Sequence, residues 1–270
     1  MDYCCLNCPI IDPVLIRLGP LAISWYGLMY GAAAISWLLI TRSEILRRRG
    51  PIPVQALPEL FVHGLVGAVI GGRLGYVLLY NLPYFFEKPW EIFAFWYGGM
   101  SIHGGFVGMG IGGLVFLHRH SVPIEELADV TFLGIAPGLM LIKIANFINC
   151  ESFGTATTLP WGTVFPDGGP LPRHPVQLYE AVLQGPILFA ILWLVRSRSH
   201  QPGDVCNFFL MGYGAFRFLT DYVREPDPYF GIVMGWLSMG QILSLCTIAV
   251  GLVCHVIGRR KSKTHGTSMT

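Results

Sequence analysis

Lys143-Ile-Ala-Asn146-Phe-Ile-Asn149-Cys-Glu151-Ser-Phe-Gly154 closes an apolar run, residues 128–148, that is otherwise long enough to cross a bilayer. A hydrocarbon core of about 30 Å needs roughly 20 helical residues. The run meets that length, yet its end carries a cation, two amides and a carboxylate. Hydrocarbon solvates such groups poorly, so they need partners or a water-filled cavity. A second polar stripe, Tyr213, Arg217, Asp221 and Arg224, lies on another apolar segment. Two cationic stripes in one membrane chain point to an anionic ligand held at membrane depth, and a phospholipid head group has that chemistry.

The composition agrees. Of 270 residues 53% are hydrophobic and 13% charged, where a soluble domain carries about 25% charged. Basic residues fall in short clusters between apolar runs, which is a topology signal and no nucleic-acid footprint. Asp2, Asp12, Arg17 and three prolines in the first 20 residues argue against a cleavable signal peptide. Seven cysteines give no disulfide framework by spacing. Cys4, Cys5 and Cys8 cluster at the start, and Cys150, Cys206, Cys246 and Cys254 read as small apolar packers.

The expected fold is an all-α integral membrane protein, a single membrane domain over 1–270. Seven transmembrane helices are expected near 21–40, 60–80, 100–117, 128–148, 176–195, 205–222 and 236–257. One set of connections holds Arg42, Arg47, Arg48, Arg49, Arg119, Arg196, Arg198, Arg259, Arg260, Lys261 and Lys263; the other holds Arg17, Lys88, Arg173 and Arg224. The richer set marks the cytoplasmic side, so the N-terminus is outside and the C-terminus cytoplasmic. Residues 81–99, dense in aromatics, read as an interfacial arm; 149–175 as an extracytoplasmic loop; 259–270 as a basic cytoplasmic tail.

With this orientation Tyr26, Arg73, His103, Lys143, Asn146, Glu180, Tyr213, Arg217 and Asp221 all fall in the outer half. Lys143, Asn146 and Asn149 step by three, and Tyr213, Arg217, Asp221 and Arg224 by four, four and three, so each set shares a helix face. Arg217 and Asp221 can pair with each other, and Arg73 can pair with Glu180 or another carboxylate as a structural ion pair. Gly64, Gly67, Gly71 and Gly75 line the second expected span, and Gly104, Gly108 and Gly112 repeat at four-residue spacing in the third; small faces of this kind let membrane helices approach closely. His103 sits among residues too small to shield it, in Gly98-Gly-Met-Ser-Ile-His103-Gly-Gly.

These blocks resemble the bacterial prolipoprotein diacylglyceryl transferases. The resemblance rests on Trp25-Tyr26-Gly-Leu-Met-Tyr30, Gly71-Gly-Arg73-Leu-Gly75-Tyr-Val, the block around His103, Asn146-Phe-Ile-Asn149-Cys-Glu151-Ser-Phe-Gly154, Pro172-Arg-His-Pro-Val-Gln177-Leu-Tyr179-Glu180 and Gly212-Tyr213-Gly-Ala-Phe-Arg217. It implies transfer of the diacylglyceryl group of phosphatidylglycerol to the lipobox cysteine of a preprolipoprotein signal peptide, releasing glycerol 1-phosphate. The setting is the bacterial inner membrane among other membrane lipids, with the site toward the outer leaflet. No metal or cofactor is implied. His103, Arg217 and Tyr26 are the expected catalytic residues. Lys143, Asn146, Asn149, Glu151, Gly154, Arg73, Tyr213 and Asp221 are the expected substrate-binding ones. Lys143 departs from the family's arginine, keeping the charge and losing the planar fork. Cys150 replaces a residue that is often glycine, and Asp221 stands where the family has Glu. The same cationic cavity could serve a divergent paralogue with altered chemistry or a lipid or anion transporter. Transporters commonly show internal repeats, and none is evident.

Overall fold

The computed structural model describes residues 6–7, 11–12, 14–19, 21–79, 81–94, 98–198, 201–225, 232–233 and 237–267. Cys4, Cys5 and Cys8, and Phe95, Trp96 and Tyr97 of the expected arm, lie outside the described residues. The protein is a mostly helical, multi-pass membrane protein. Among the described residues four helices are long and apolar enough to cross a membrane: Val54–Leu78, Ile124–Ile148, Val176–Arg198 and Met239–Arg260. The chain divides into two compact units, Met1–Thr41 with Ala128–Thr270, and Arg42–Leu127.

In the first unit a hairpin, β2 (Val14–Leu18) with β3 (Leu21–Ser24), leads into α1 (Trp25–Arg48). The first expected span therefore becomes helical four residues late. Helix α5 (Ile124–Ile148) starts after Pro123 with Glu125 and Glu126 in its first turn, where carboxylates favour the positive end of the helix dipole. Pro186 interrupts the next span. Helix α6 (Val176–Val182) passes through a π-helical turn, Leu183–Ile187, into α7 (Leu188–Arg198), because a proline removes one ladder donor and crowds the preceding turn. Helix α8 (Asp204–Asp221) begins after Gly203, whose φ is 91°. The buried carboxylate of Asp129 caps it, accepting from the amides of Gly203 and Cys206, both at 2.9 Å. Helix α9 (Met239–Thr267) packs along α8 and extends through most of the stretch expected as a tail. The core of this unit is Leu133, Ala136, Leu188, Leu192, Val205 and Phe209.

The fold is not wholly helical. Strand β1 (Leu6–Asn7) pairs in parallel with β4 (Thr163–Val164), and β5 (Ile232–Val233) pairs with β6 (Leu237–Ser238). The loop holding β4 folds onto the end of α8: Gly154 N–H donates to the His174 carbonyl at 2.9 Å, and Thr155 N–H to that of Val223 at 2.9 Å.

The second unit is built on α2 (Leu57–Leu79) against α4 (Ile102–His120), with α3 (Leu82–Glu87) between them in sequence. The two long helices touch backbone to backbone. A Cβ on Gly71 would come within 2.7 Å of Gly108 Cα, and one on Gly75 within 2.8 Å of Gly104 Cα. Gly110 and Gly113 have open space instead.

Candidate active site

Helix α5 ends in a Schellman motif. Glu151 N–H donates to the Asn146 carbonyl at 2.9 Å, and Cys150 N–H to that of Phe147 at 3.0 Å. This closure sets residues 146 and 151 side by side, a pairing commonly filled by apolar side chains. Here both are polar and both reach one group. The Tyr26 hydroxyl, from the first turn of α1, lies against Asn146 Oδ1 and 2.8 Å from Glu151 Oε2. Gln177, fully buried on α6, donates to the Glu151 carbonyl at 2.5 Å. The buried Oδ1 of Asn149 and Oε1 of Gln177 accept no hydrogen bond from any described residue.

A second cluster centres on Glu180, whose side chain is fully buried. Lys143 Nζ of α5 lies 2.8 Å from one carboxylate oxygen. Arg217 of α8 pairs with the other oxygen, and Arg224 approaches it at 3.4 Å. Arg217 also reaches Asp221 at 3.2 Å, one turn along the helix. Asp221 accepts from the Ser238 hydroxyl. Three cations thus share two carboxylates. One formal positive charge is left over, and Lys143, Arg217 and Arg224 keep about a fifth of their side-chain surface open. Such an arrangement attracts an anion: its fixed cations are already oriented, and a site of low polarizability screens them weakly. Tyr213 stands on the same stripe of α8 and stacks on Phe209 with ring centres 5.8 Å apart.

Gly154 has a steric reason. A Cβ there would lie 2.6 Å from Val176 Cγ2 and 2.8 Å from His174 Cβ, so only glycine lets the loop close over the start of α6. Arg173 buttresses the same loop. It donates to the carbonyls of Gly168 at 2.7 Å and Gly154 at 3.1 Å, pairs with Glu225, and lies over the Phe153 ring.

Arg73 and His103 belong to the other unit. Arg73 is 3% exposed. Its guanidinium donates to the carbonyls of Glu91 and Gly98 at 2.5 Å, Ile92 at 2.8 Å, and Ala94 and Gly99 at 3.2 Å. It ties the segment after α3 to α2, beside a cavity of about 380 Å³ that it lines with Tyr76, Tyr84 and Glu91. Those carbonyls take the donors that the ion pair with Glu180 would have used, and Glu180 is occupied by Lys143, Arg217 and Arg224. His103 lies in the first turn of α4, after Ser101, which caps that helix through the Gly104 amide at 3.2 Å; the position of its side chain lies outside what is described.

Two corrections follow. Cys150 is disulfide-bonded and is no apolar packer. Glu180, expected among the polar groups of the outer half and as a candidate partner for Arg73, is the anchor of three cations instead. Its signal was a lone carboxylate in an apolar run, which required an explanation of its own.

Comparison with known proteins matches residues 13–257 to the prolipoprotein diacylglyceryl transferase family. A phosphatidylglycerol–prolipoprotein diacylglyceryl transferase of Bordetella avium is 46% identical over 259 residues, covering 95% of this chain and 98% of the relative. Those of Geobacter sulfurreducens and Nitratidesulfovibrio vulgaris strain DP4 are each 44% identical. The first covers 94% of this chain and 98% of the relative; the second covers 92% and 94%. A family match over residues 13–257, with identities of 44–46% across more than nine-tenths of the chain, makes the chain a member of the prolipoprotein diacylglyceryl transferase family.

Proposed function

We propose that the chain transfers the diacylglyceryl group of phosphatidylglycerol to the lipobox cysteine of a preprolipoprotein, in the inner membrane of a bacterium. The observation that carries the reading is the excess positive charge around Glu180. In the reaction the cysteine thiolate attacks the glyceryl carbon that bears the phosphate. A carbon–sulfur bond forms, the carbon–oxygen bond breaks, and glycerol 1-phosphate leaves with the electron pair. Negative charge therefore grows on a phosphate, and Arg217, Lys143 and Arg224 are the groups that stabilise it. A thiol is a weak nucleophile until it loses its proton. His103 is the base in this reading, supported by its place in the Gly98 to Gly105 block. Tyr26, held by Asn146 and Glu151, orients the lipid. The open acceptors of Asn149 and Gln177 suit the hydroxyls of a glycerol head group. Tyr213 and Asp221 shape the Arg217 stripe, and Gly154 lets the loop close. Arg73 serves through the arm segment it holds. Seven spans, with the N-terminus and this site on the outer side, complete the picture.

The test is reconstitution with head-group- and acyl-labelled phosphatidylglycerol and a lipobox peptide. Acyl label on the peptide cysteine is expected, with a fall of at least about a hundredfold in Arg217→Ala and in His103→Ala. Near-normal rates in both would remove the assigned roles, and lipid translocation without transfer would favour a transporter.

A further inference from the structure

Gln184 is fully buried, and neither its amide nitrogen nor its amide oxygen meets a hydrogen-bond partner among the described residues. Leaving a buried amide unmade is costly, and an apolar side chain of the same length would avoid the cost. The residue sits in the π-helical turn Leu183–Ile187, a form of helix found mostly as single turns at functional sites. Its neighbour Gly185 lets that turn seat directly on α5: a Cβ there would lie 2.5 Å from Met140 Cβ. Met140 lies about one turn before Lys143 on α5, and Gln184 about one turn after Glu180. The amide is therefore next to the cationic cluster along both helices. Gln177, Glu180 and Gln184 also share one face of their span, and all three are fully buried. Their unmet chemistry changes along that face. Gln177 has an open acceptor. Glu180 gathers Lys143, Arg217 and Arg224. Gln184 brings the two N–H donors of Nε2. A phosphatidylglycerol carries the matching groups in the same order: head-group hydroxyls that donate, a phosphate anion, and then two ester carbonyls that only accept.

We propose that Gln184 is a substrate-binding residue that donates from Nε2 to an ester carbonyl of the diacylglyceryl group, and so fixes the glyceryl carbon that the thiolate attacks. The assignment rests on the transfer reaction proposed above. A helix rises about 1.5 Å per residue, which sets Gln184 about 6 Å along the span from Glu180. The ester carbonyls lie a few bonds past the phosphate, within that reach when the phosphate is at the cations. The amide oxygen finds no donor in an ester, and an open carbonyl is the lesser of the two deficits. The amide is covered, so the lipid reaches it only if the π turn shifts. Pro186 lies within that turn and has no N–H to offer the ladder, which leaves fewer bonds to break there.

The experiment uses the full chain in detergent with two lipids, phosphatidylglycerol and its dialkyl ether analogue, which keeps the head group and phosphate and lacks the ester carbonyls. The ratio of kcat/KM for the ester lipid over the ether lipid should be about tenfold larger in the parent than in Gln184→Met. Methionine matches the length of glutamine and cannot donate. Any intrinsic difference in reactivity between the lipids cancels when the two proteins are compared. An equal ratio in both proteins would overturn the proposal. So would a defect in Gln184→Met that appears only as a raised KM for the lipobox peptide, which would assign the amide to the peptide backbone. Gln184→Met should melt no lower than the parent, since it removes polar atoms that have no partner; a clear loss of stability would mean that Gln184 is bonded within the fold, and would overturn the site. A parent that transfers from neither lipid counts against the reaction, and infrared spectroscopy then decides the contact. The stretch of a carbon-13-labelled ester carbonyl in bound phosphatidylglycerol should fall in frequency in the parent and not in Gln184→Met; the same frequency in both would overturn the contact.

Discussion

At residue scale the site turns on how few acids serve many bases. Removing one member of a buried ion cluster leaves the others uncompensated, at a cost of about 3–5 kcal/mol. Glu180→Gln should therefore lower thermal stability in detergent and depress transfer about a hundredfold or more, because Lys143, Arg217 and Arg224 lose the carboxylate that spaces them. A variant with an unshifted melting point and normal turnover would mean that the cations are held by something else. Lys143→Arg asks a narrower question. Lysine offers a point charge where a fork would suit phosphate better, and its side chain is 17% exposed, so a longer group has somewhere to go. Transfer should stay within about threefold of the parent or exceed it; collapse would mark a site rebuilt around lysine. Gly154→Ala should cost about 1–3 kcal/mol by overpacking against Val176 and His174. It should reduce transfer more than tenfold, since displacements near 1 Å suffice for that. The residue types of both clusters were legible in the sequence, because polar groups in an apolar run must be accounted for. Which acid each cation chooses was not, since Glu180 is 37 positions from both Lys143 and Arg217 and only packing brings them together.

At element scale the glycine steps told more than hydropathy did. The four-residue repeat at Gly104, Gly108 and Gly112 lies on the face of α4 that meets α2, and Gly110 and Gly113, off that step, have open space. Gly108→Ala should lower the melting temperature in detergent, by an overpacking cost of about 1–3 kcal/mol. Gly110→Ala should raise it slightly, because alanine favours a helix by about 1 kcal/mol over glycine. Equal effects would mean that the helices do not meet along this face. The short strands were not legible, as pairs of two residues carry no periodic signal. Neither was the π turn, although Pro186 within a span announced some irregularity. The loop before α6 has a pH dependence of known sign. Burial holds the His174 imidazole below its usual value of about 6.5. As pH falls through that value the unfolded loop takes up a proton that the folded loop refuses, so stability falls with pH. Amide exchange at Gly154, which donates to the His174 carbonyl, should quicken as pH drops from about 7 to 5.5, after correction for intrinsic rates; exchange unchanged across that range would remove His174 as the cause.

At the scale of the whole molecule, membrane class followed from composition alone, while the expected sidedness rests on charge. Arg47 and Arg48 end α1, Arg119 ends α4, and Arg196 and Arg198 end α7. Such residues are expected on the cytoplasmic face. The sequence missed the disulfide because seven cysteines allow many pairings and spacing selects none; a left-handed backbone at Cys150 becomes visible only in three dimensions. Both signals bear on one measurement. If the chain crosses seven times, the loop at residues 149–175 and the end of α9 face opposite sides, since an odd number of crossings, three, separates the C-terminal end of α5 from the C-terminal end of α9. Asp167→Cys should then react with a membrane-impermeant maleimide in intact cells. Lys263→Cys should react only after permeabilisation, with site-resolved peptide mapping to separate the tag from the native thiols. Reaction at both positions in intact cells, or at neither, would require an even number of crossings between them. That would detach the basic clusters from the cytoplasm and place the turn that carries Cys150 where a disulfide is not sustained.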